Sequence, residues 1–182
     1  ASGTASSNGT RSTADTTTNG STTAFSSGMA EASLTVTAVN DAPTLSGGPF
    51  VLTGTNEDTT SSGATVATIL AGLTQGDVDS GAASGIAITG TVGNGTWQYS
   101  TDGTSWTNIG SVSDSSALLL SATTQVRYIP DGENAETATL SFRAWDQASG
   151  TASSNGTRST ADTTTNGSTT AFSSGSAEAS LA

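Results

Sequence analysis

The residues of this chain best able to do chemistry are its carboxylates. The sequence holds 15 Asp and Glu against 4 Arg, with no Lys, His or Cys, for a net charge of −11. The acids gather at the ends of predicted strands. Asn40-Asp41 stands in VNDAP, Glu57-Asp58 in NED, Asp77 and Asp79 in GDVDSG, Asp131 and Glu133 in PDGEN, and Asp146 in AWDQ. A hard divalent cation needs such oxygens converging on one point, Ca²⁺ taking about 6–8 at roughly 2.3–2.6 Å. An Asp-x-Asp pair on a loop brings two carboxylates within reach of one ion. Left unpaired, clustered carboxylates repel one another, and four arginines cannot neutralise them. Each group taken singly also reads as a solvated turn, because Asp and Gly are common turn residues.

The absent residue types remove whole classes of function. Without His or Cys there is no Ser-His or Cys-His nucleophile pair and no ordinary structural zinc site. Without Lys there is no Schiff base and no phosphate-binding lysine of the Walker type. A sequence pI near 4.1 opposes binding to nucleic acid. No apolar run reaches the roughly 18 residues of a membrane span, so no membrane insertion is expected. A carboxylate pair doing acid–base work on a sugar is the remaining enzymatic possibility, and nothing else in the chain supports it; the chain is not expected to be an enzyme.

The elements that must position these acids are strands. Phe50–Thr53, Ile86–Val92, Leu118–Leu120, Gln125–Ile129 and Thr137–Trp145 are β-rich, and Asp102-Gly103 between Thr96–Ser100 and Ser105–Ile109 is a hairpin signal. Ala64–Leu73 is ambiguous, and its β-branched residues tilt it towards strand. Many short strands at 8–12-residue spacing predict an all-β sandwich. Around them lies a repeat. Residues 1–35 and 148–182 match at 33 of 35 positions, with an offset of 147. That pattern predicts a tandem unit of about 147 residues. Residues 1–39 then form the tail of a preceding unit, 40–43 a linker, and 44–182 the next unit with its last strand truncated. The Ser/Thr/Gly-rich flanks are of a composition that serves as flexible linker. Phe25 and Phe172 argue for order, as does the alternation of Leu34, Val36 and Ala38 in an expected strand.

VNDAP at 39–43, NED at 56–58, DVDSG at 77–81, RYIPDGENAETATLSFRAWDQ at 127–147 and AEASLTVTAV at 30–39 together resemble a cadherin-like repeat of the kind strung in tandem in giant bacterial surface adhesins. The resemblance covers about residues 30–182. It implies an all-β, cadherin/immunoglobulin-like β-sandwich, secreted or at the cell surface, with Ca²⁺ between consecutive domains. By position, Asn40, Asp41, Asp77, Asp79 and Asp146 would form the site at the N-terminal pole. Glu57, with Asp131 and Glu133, would serve the opposite pole. VNDAP is shorter than the usual cadherin linker and has Ala38 near the place of its first Asp, which implies fewer ligands.

Trp97, Tyr99 and Trp106 form a second group. They read either as core packing or as a platform stacking on a surface glycan. The function classes are therefore a calcium-stiffened spacer repeat, a glycan- or protein-binding adhesin module, and a filament subunit. In the last, residues 1–39 of one chain complete an identical chain head-to-tail, as donated strands do. The expected partners are neighbouring repeats or identical chains.

Overall fold

The computed structural model describes residues 3–181, which fall into two units, Ala1–Ala38 and Val39–Ala182. The second is built on the alternation in TLSFRAW. Leu140, Phe142 and Ala144 are buried, and Thr139, Ser141 and Arg143 between them are half-buried. In chain order its elements are β1 (Thr44–Ser46), β2 (Phe50–Leu52), β3 (Ala64–Thr65), α1 (Val66–Ala71), β4 (Thr74–Gly76), β5 (Gly85–Val92), β6 (Thr96–Ser100), β7 (Thr107–Asn108), β8 (Ala117–Ser121), β9 (Gln125–Ile129), β10 (Ala138–Trp145), β11 (Thr160–Ala161) and β12 (Ala177–Leu181). One open sheet runs β11-β8-β5-β10-β12-β2, a second β3-β9-β6-β7, and β1 pairs with β4 alone. The fold is all-β with one short helix among the described residues.

A single core joins the two larger sheets. Ile86, Ile88, Leu118, Leu120, Leu140 and Phe142 from the six-stranded sheet meet Trp97, Tyr99, Val126 and Tyr128 from the four-stranded one. Because strand side chains alternate faces, Ala87, Leu119 and Trp145 point the other way. They form a second cluster with Ala117, Ala171 and Phe172. Residues 148–174 therefore cover the outer face of the large sheet and are no loose linker. Ser153 N donates to Leu119 O at 2.9 Å and Leu119 N to Ser159 O at 3.0 Å. The Tyr99 hydroxyl donates to Ser154 O at 3.0 Å.

The structure corrects the expected strand at Ala64–Leu73. Thr65 caps a helix by accepting from Thr68 N at 3.1 Å, and Val66, Ile69 and Leu70 bury one helical face. The i, i+3, i+4 placement of these residues outweighs the β-branching of Val66 and Ile69. Between β6 and β7 the expected hairpin forms. Gly103 takes φ +73°, in the left-handed region. Asp102 Oδ1 accepts from Ser105 N at 2.7 Å and Thr104 N at 2.8 Å, and these bonds hold its carboxyl well below the usual range.

The unit Ala1–Ala38 has no named strand among the described residues. The strand expected over Leu34–Ala38 is not formed there, although the same AEASL sequence forms β12 at 177–181. Its local turns do form, and they repeat at the 147-residue offset. Ser7 and Thr10 exchange backbone bonds as Ser154 and Thr157 do; Gly20 N donates to Phe25 O at 2.7 Å as Gly167 N does to Phe172 O at 2.8 Å. Asp15 accepts from Thr17 N as Asp162 does from Thr164 N, both at 2.9 Å. Ser21 and Ser168 share positive φ, 49° and 54°. Short-range sequence sets the turns, and a strand needs a neighbour to pair with.

Candidate functional site

Strand direction separates the acids into two poles. β10 runs antiparallel to β5, pairing Trp145 with Gly85 at one end and Thr139 with Val92 at the other. At the first end lie the residues before β1, the turn before β5 and the residue after β10. The Asn40 amide donates to Asp146 Oδ2 at 2.9 Å and to Thr170 O at 3.1 Å. Asp41 N donates to Asp79 Oδ2 at 2.8 Å, and Asp79 N to Asp77 Oδ1 at 2.8 Å. Asp146 is 5% exposed, and its Oδ1 accepts from Ala148 N at 2.7 Å. Asn40, Asp41, Asp77, Asp79 and Asp146 thus sit in one hydrogen-bonded chain.

The donor chemistry of this pole is carboxylate, amide and backbone oxygen, which suits a hard cation. Among the described residues the sole ion pair is Arg143–Asp114 at 3.4 Å, so Arg143 turns away from Asp146, and no arginine is paired with any carboxylate of the pole. Among those residues, too, no three acidic side chains converge as a metal-holding group. The carboxylates of Asp77, Asp79 and Asp146 bond N–H groups instead. Thr170 O and Ser168 O, the latter accepting from Ala42 N at 2.7 Å, come from the Ser/Thr tract and were not legible as part of the pole. The repeated Asn-Gly-Ser turn at 166–168 was the available signal.

The opposite pole holds Glu57. With Asp58, Tyr128, Pro130, Glu136 and Leu181 it lines a cleft of about 390 Å³. Asp131 follows Pro130 in a local turn, where it accepts from Glu133 N at 3.0 Å, and its charge is felt at Glu136 and Tyr128. The acid that organises this end is Glu136, which sequence reasoning passed over. It accepts from the Tyr128 hydroxyl and from Asn94 N at 2.7 Å. Those bonds, the tyrosine's first, lower its carboxyl below the ordinary 4.5. Burial, then the bond to Glu136, pushes the tyrosine up to about 12.

A depressed carboxyl contributes stability that is present above its unfolded value and lost as pH falls through its folded one. Asp102 and Glu136 both have this sign, from ordinary values of 3.8 and 4.5. The melting midpoint is expected to hold from neutrality down to about pH 5 and then fall steadily. A scan of tryptophan fluorescence against temperature at each pH checks this, and a midpoint unchanged down to about pH 2.5 contradicts it.

The aromatic platform is corrected. Trp97 is 5% exposed and Tyr99 fully buried; both belong to the core, with Trp97 and Tyr128 ring centroids 5.0 Å apart. Neither ring is open to a sugar. Trp106 is half-buried, and the Arg127 guanidinium covers one face of its ring, 3.9 Å from the centroid.

Comparison with protein-family models, with curated proteins and with solved structures finds no match to this chain.

Proposed function

We propose that this chain is a structural spacer repeat of an extracellular adhesin or surface fibre. Its two core-sharing sheets are read as a cadherin-like sandwich. The observation that carries the proposal is the placement of the chain's path. Near the start of the second unit Asn40 is bonded to Asp146 at one pole, and its last strand reaches Leu181, paired with Ala138, at the other. Units connected that way extend as a rod, each passing load to the next. The 147-residue repeat supports the same reading.

Asn40, Asp41, Asp77, Asp79 and Asp146 are the residues that would hold Ca²⁺. The ion supplies charge neutralisation at a pole whose carboxylates have no cationic partner among the described residues. Coupling the linker to the turn before β5 and to Asp146 would restrict bending at 38–44. Binding to the folded state stabilises it by mass action, about 2.7 kcal/mol at a hundred times the dissociation constant. Millimolar Ca²⁺ is therefore expected to raise the melting midpoint and to slow proteolysis at 38–44, and Asp79→Asn to abolish both effects. Identical melting and cleavage in excess chelator and in Ca²⁺ would remove the cation from the proposal and leave the spacer.

A further inference from the structure

We propose that a cavity on the outer face of the six-stranded sheet binds a neutral sugar ring, held between the Arg143 guanidinium and the carboxylates of Asp114 and Glu178. This site goes beyond the spacer reading and does not depend on it.

The cavity follows from where the cover of the sheet stops. Residues 148–174 lie over Ala87, Leu119 and Trp145, the apolar part of that face. Further along the same face the outward positions are polar: Thr89 on β5, Ser141 and Arg143 on β10, and Glu178 on β12. They border a space of about 420 Å³, within the ~300–1,000 Å³ of small-molecule sites. The β1–β2 turn at Gly47–Pro49, Asp114 and Ser176 complete its lining. The floor is tied together from strand to strand. The Ser141 hydroxyl donates to Glu178 Oε1 at 3.2 Å, and the Thr89 hydroxyl to Ser141 O at 3.4 Å.

Arg143 is the group that lacks a partner. Its Nη1 donates to Ser173 O at 3.2 Å and to Ser174 O at 2.9 Å, which fixes the guanidinium in place before any ligand arrives. Its Nη2 stands 3.4 Å from Asp114 Oδ1, against about 2.7–2.9 Å for a charge-assisted bond. Its Nε is buried with no hydrogen-bond partner among the described residues. A guanidinium carries five N–H donors, and here the side formed by Nε and Nη2 is under-used. An oxygen entering beside Asp114 would give Nη2 a closer acceptor.

Charge decides the class of ligand. One arginine against two carboxylates leaves the cavity at −1, on a chain of net charge −11. An anion drawn to Arg143 would be repelled by Asp114 and Glu178. An ammonium drawn to those acids would be repelled by Arg143. A hydroxyl both donates and accepts. Adjacent hydroxyls of a sugar ring therefore answer the guanidinium and the carboxylates together, without net charge. None of the lining residues is aromatic, so binding rests on hydrogen bonds exchanged with water. The expected dissociation constant is on the order of 1–10 mM.

The test is a titration of the ¹⁵N-labelled full chain with the methyl glycosides of glucose, galactose, mannose and N-acetylglucosamine. Glucuronate and glucosamine serve as the anionic and cationic arms. The Arg143 Nε–H signal, identified by its loss in Arg143→Lys, and the Gly48 amide report on the cavity. A saturable shift of both with at least one neutral glycoside is expected. Ser176→Met should weaken it by about tenfold or more by filling the rim. Met is already present at the matching place, Met29, in the otherwise identical sequence of residues 3–34. Glu178→Gln changes only the charge of an exposed side chain, should weaken binding by a similar factor, and keeps the test decisive if Ser176→Met lowers the melting midpoint. No saturable shift with any neutral glycoside up to about 100 mM overturns the proposal. So does tighter binding of glucuronate or glucosamine, or binding indifferent to Glu178→Gln.

Discussion

A Phe172→Ala chain is expected to lose about 3–5 kcal/mol of folding stability, while Phe25→Ala loses less than about 0.5 kcal/mol. Both substitutions fall in the same TTAFSSG sequence, 147 residues apart. Local propensity and unfolded-chain behaviour are thereby matched, and the difference isolates packing. Phe172 is 5% exposed within the cluster of Ala87, Leu119 and Trp145. Its backbone bridges Trp145, and Gly167 N donates to its carbonyl. Truncation leaves a cavity under a tract with few other apolar side chains to collapse into it. Phe25 makes the same turn bond and is only half-buried. Urea unfolding of dilute samples, read by tryptophan fluorescence, gives both values. Equal losses would show that the outer cover contributes nothing beyond its local turns.

Trp145→Ala is the second large effect, again about 3–5 kcal/mol. The indole is 1% exposed and its N–H donates to Ser149 O at 2.7 Å. It closes the end of β10 next to Asp146. A methyl added at Gly85 would lie 2.8 Å from Cε3 of the ring, which shows how tightly the strands close around it. Its loss should open residues 148–161 to protease before the rest of the domain, because the ring and the Ser149 bond anchor the start of that tract. Trp145 and Phe172 share one cluster, so the double variant is expected to cost less than the two singles added together. Strict additivity, or digestion that begins in β5 or β10, would contradict this account.

How much of this was legible in the sequence depended on the range of the interaction. β6 and β9 occupy the predicted residues Thr96–Ser100 and Gln125–Ile129, and β10 begins one residue late at Ala138, because there the alternation of apolar and polar residues coincides with neighbouring strands to pair with. The Asp102-Gly103 turn was legible for the same local reason. α1 was misread because β-branched Val66, Thr68 and Ile69 were given more weight than the i, i+3, i+4 placement of Val66, Ile69 and Leu70, which the Thr65 cap reinforces. The clearest failure of local reading is AEASL, which is strand at 177–181 and not at 30–34. No rule applied to five residues can separate identical strings; β10 and β2 do. Positions at strand ends put the acids in loops, but the grouping of Asn40, Asp41, Asp77, Asp79 and Asp146 at one pole came only as what the cadherin-like resemblance implied. The tie from Asn40 to Thr170, 130 residues away, had no periodic signature. Trp97 and Tyr99 share a strand face as expected, but which face the core takes is set by the other sheet.

The one parallel pairing of the six-stranded sheet, β2 with β12, decides how the domain meets tension. Pulled at Asn40 and at Leu181, β2 is drawn backwards and β12 forwards along their common axis. The three paired positions between them, and the five between β12 and β10, then resist by sliding together and not by peeling one at a time. A load that would unzip a hairpin in sequence must here break a whole set of bonds at once, which is the mechanical quality the proposed spacer role would call on.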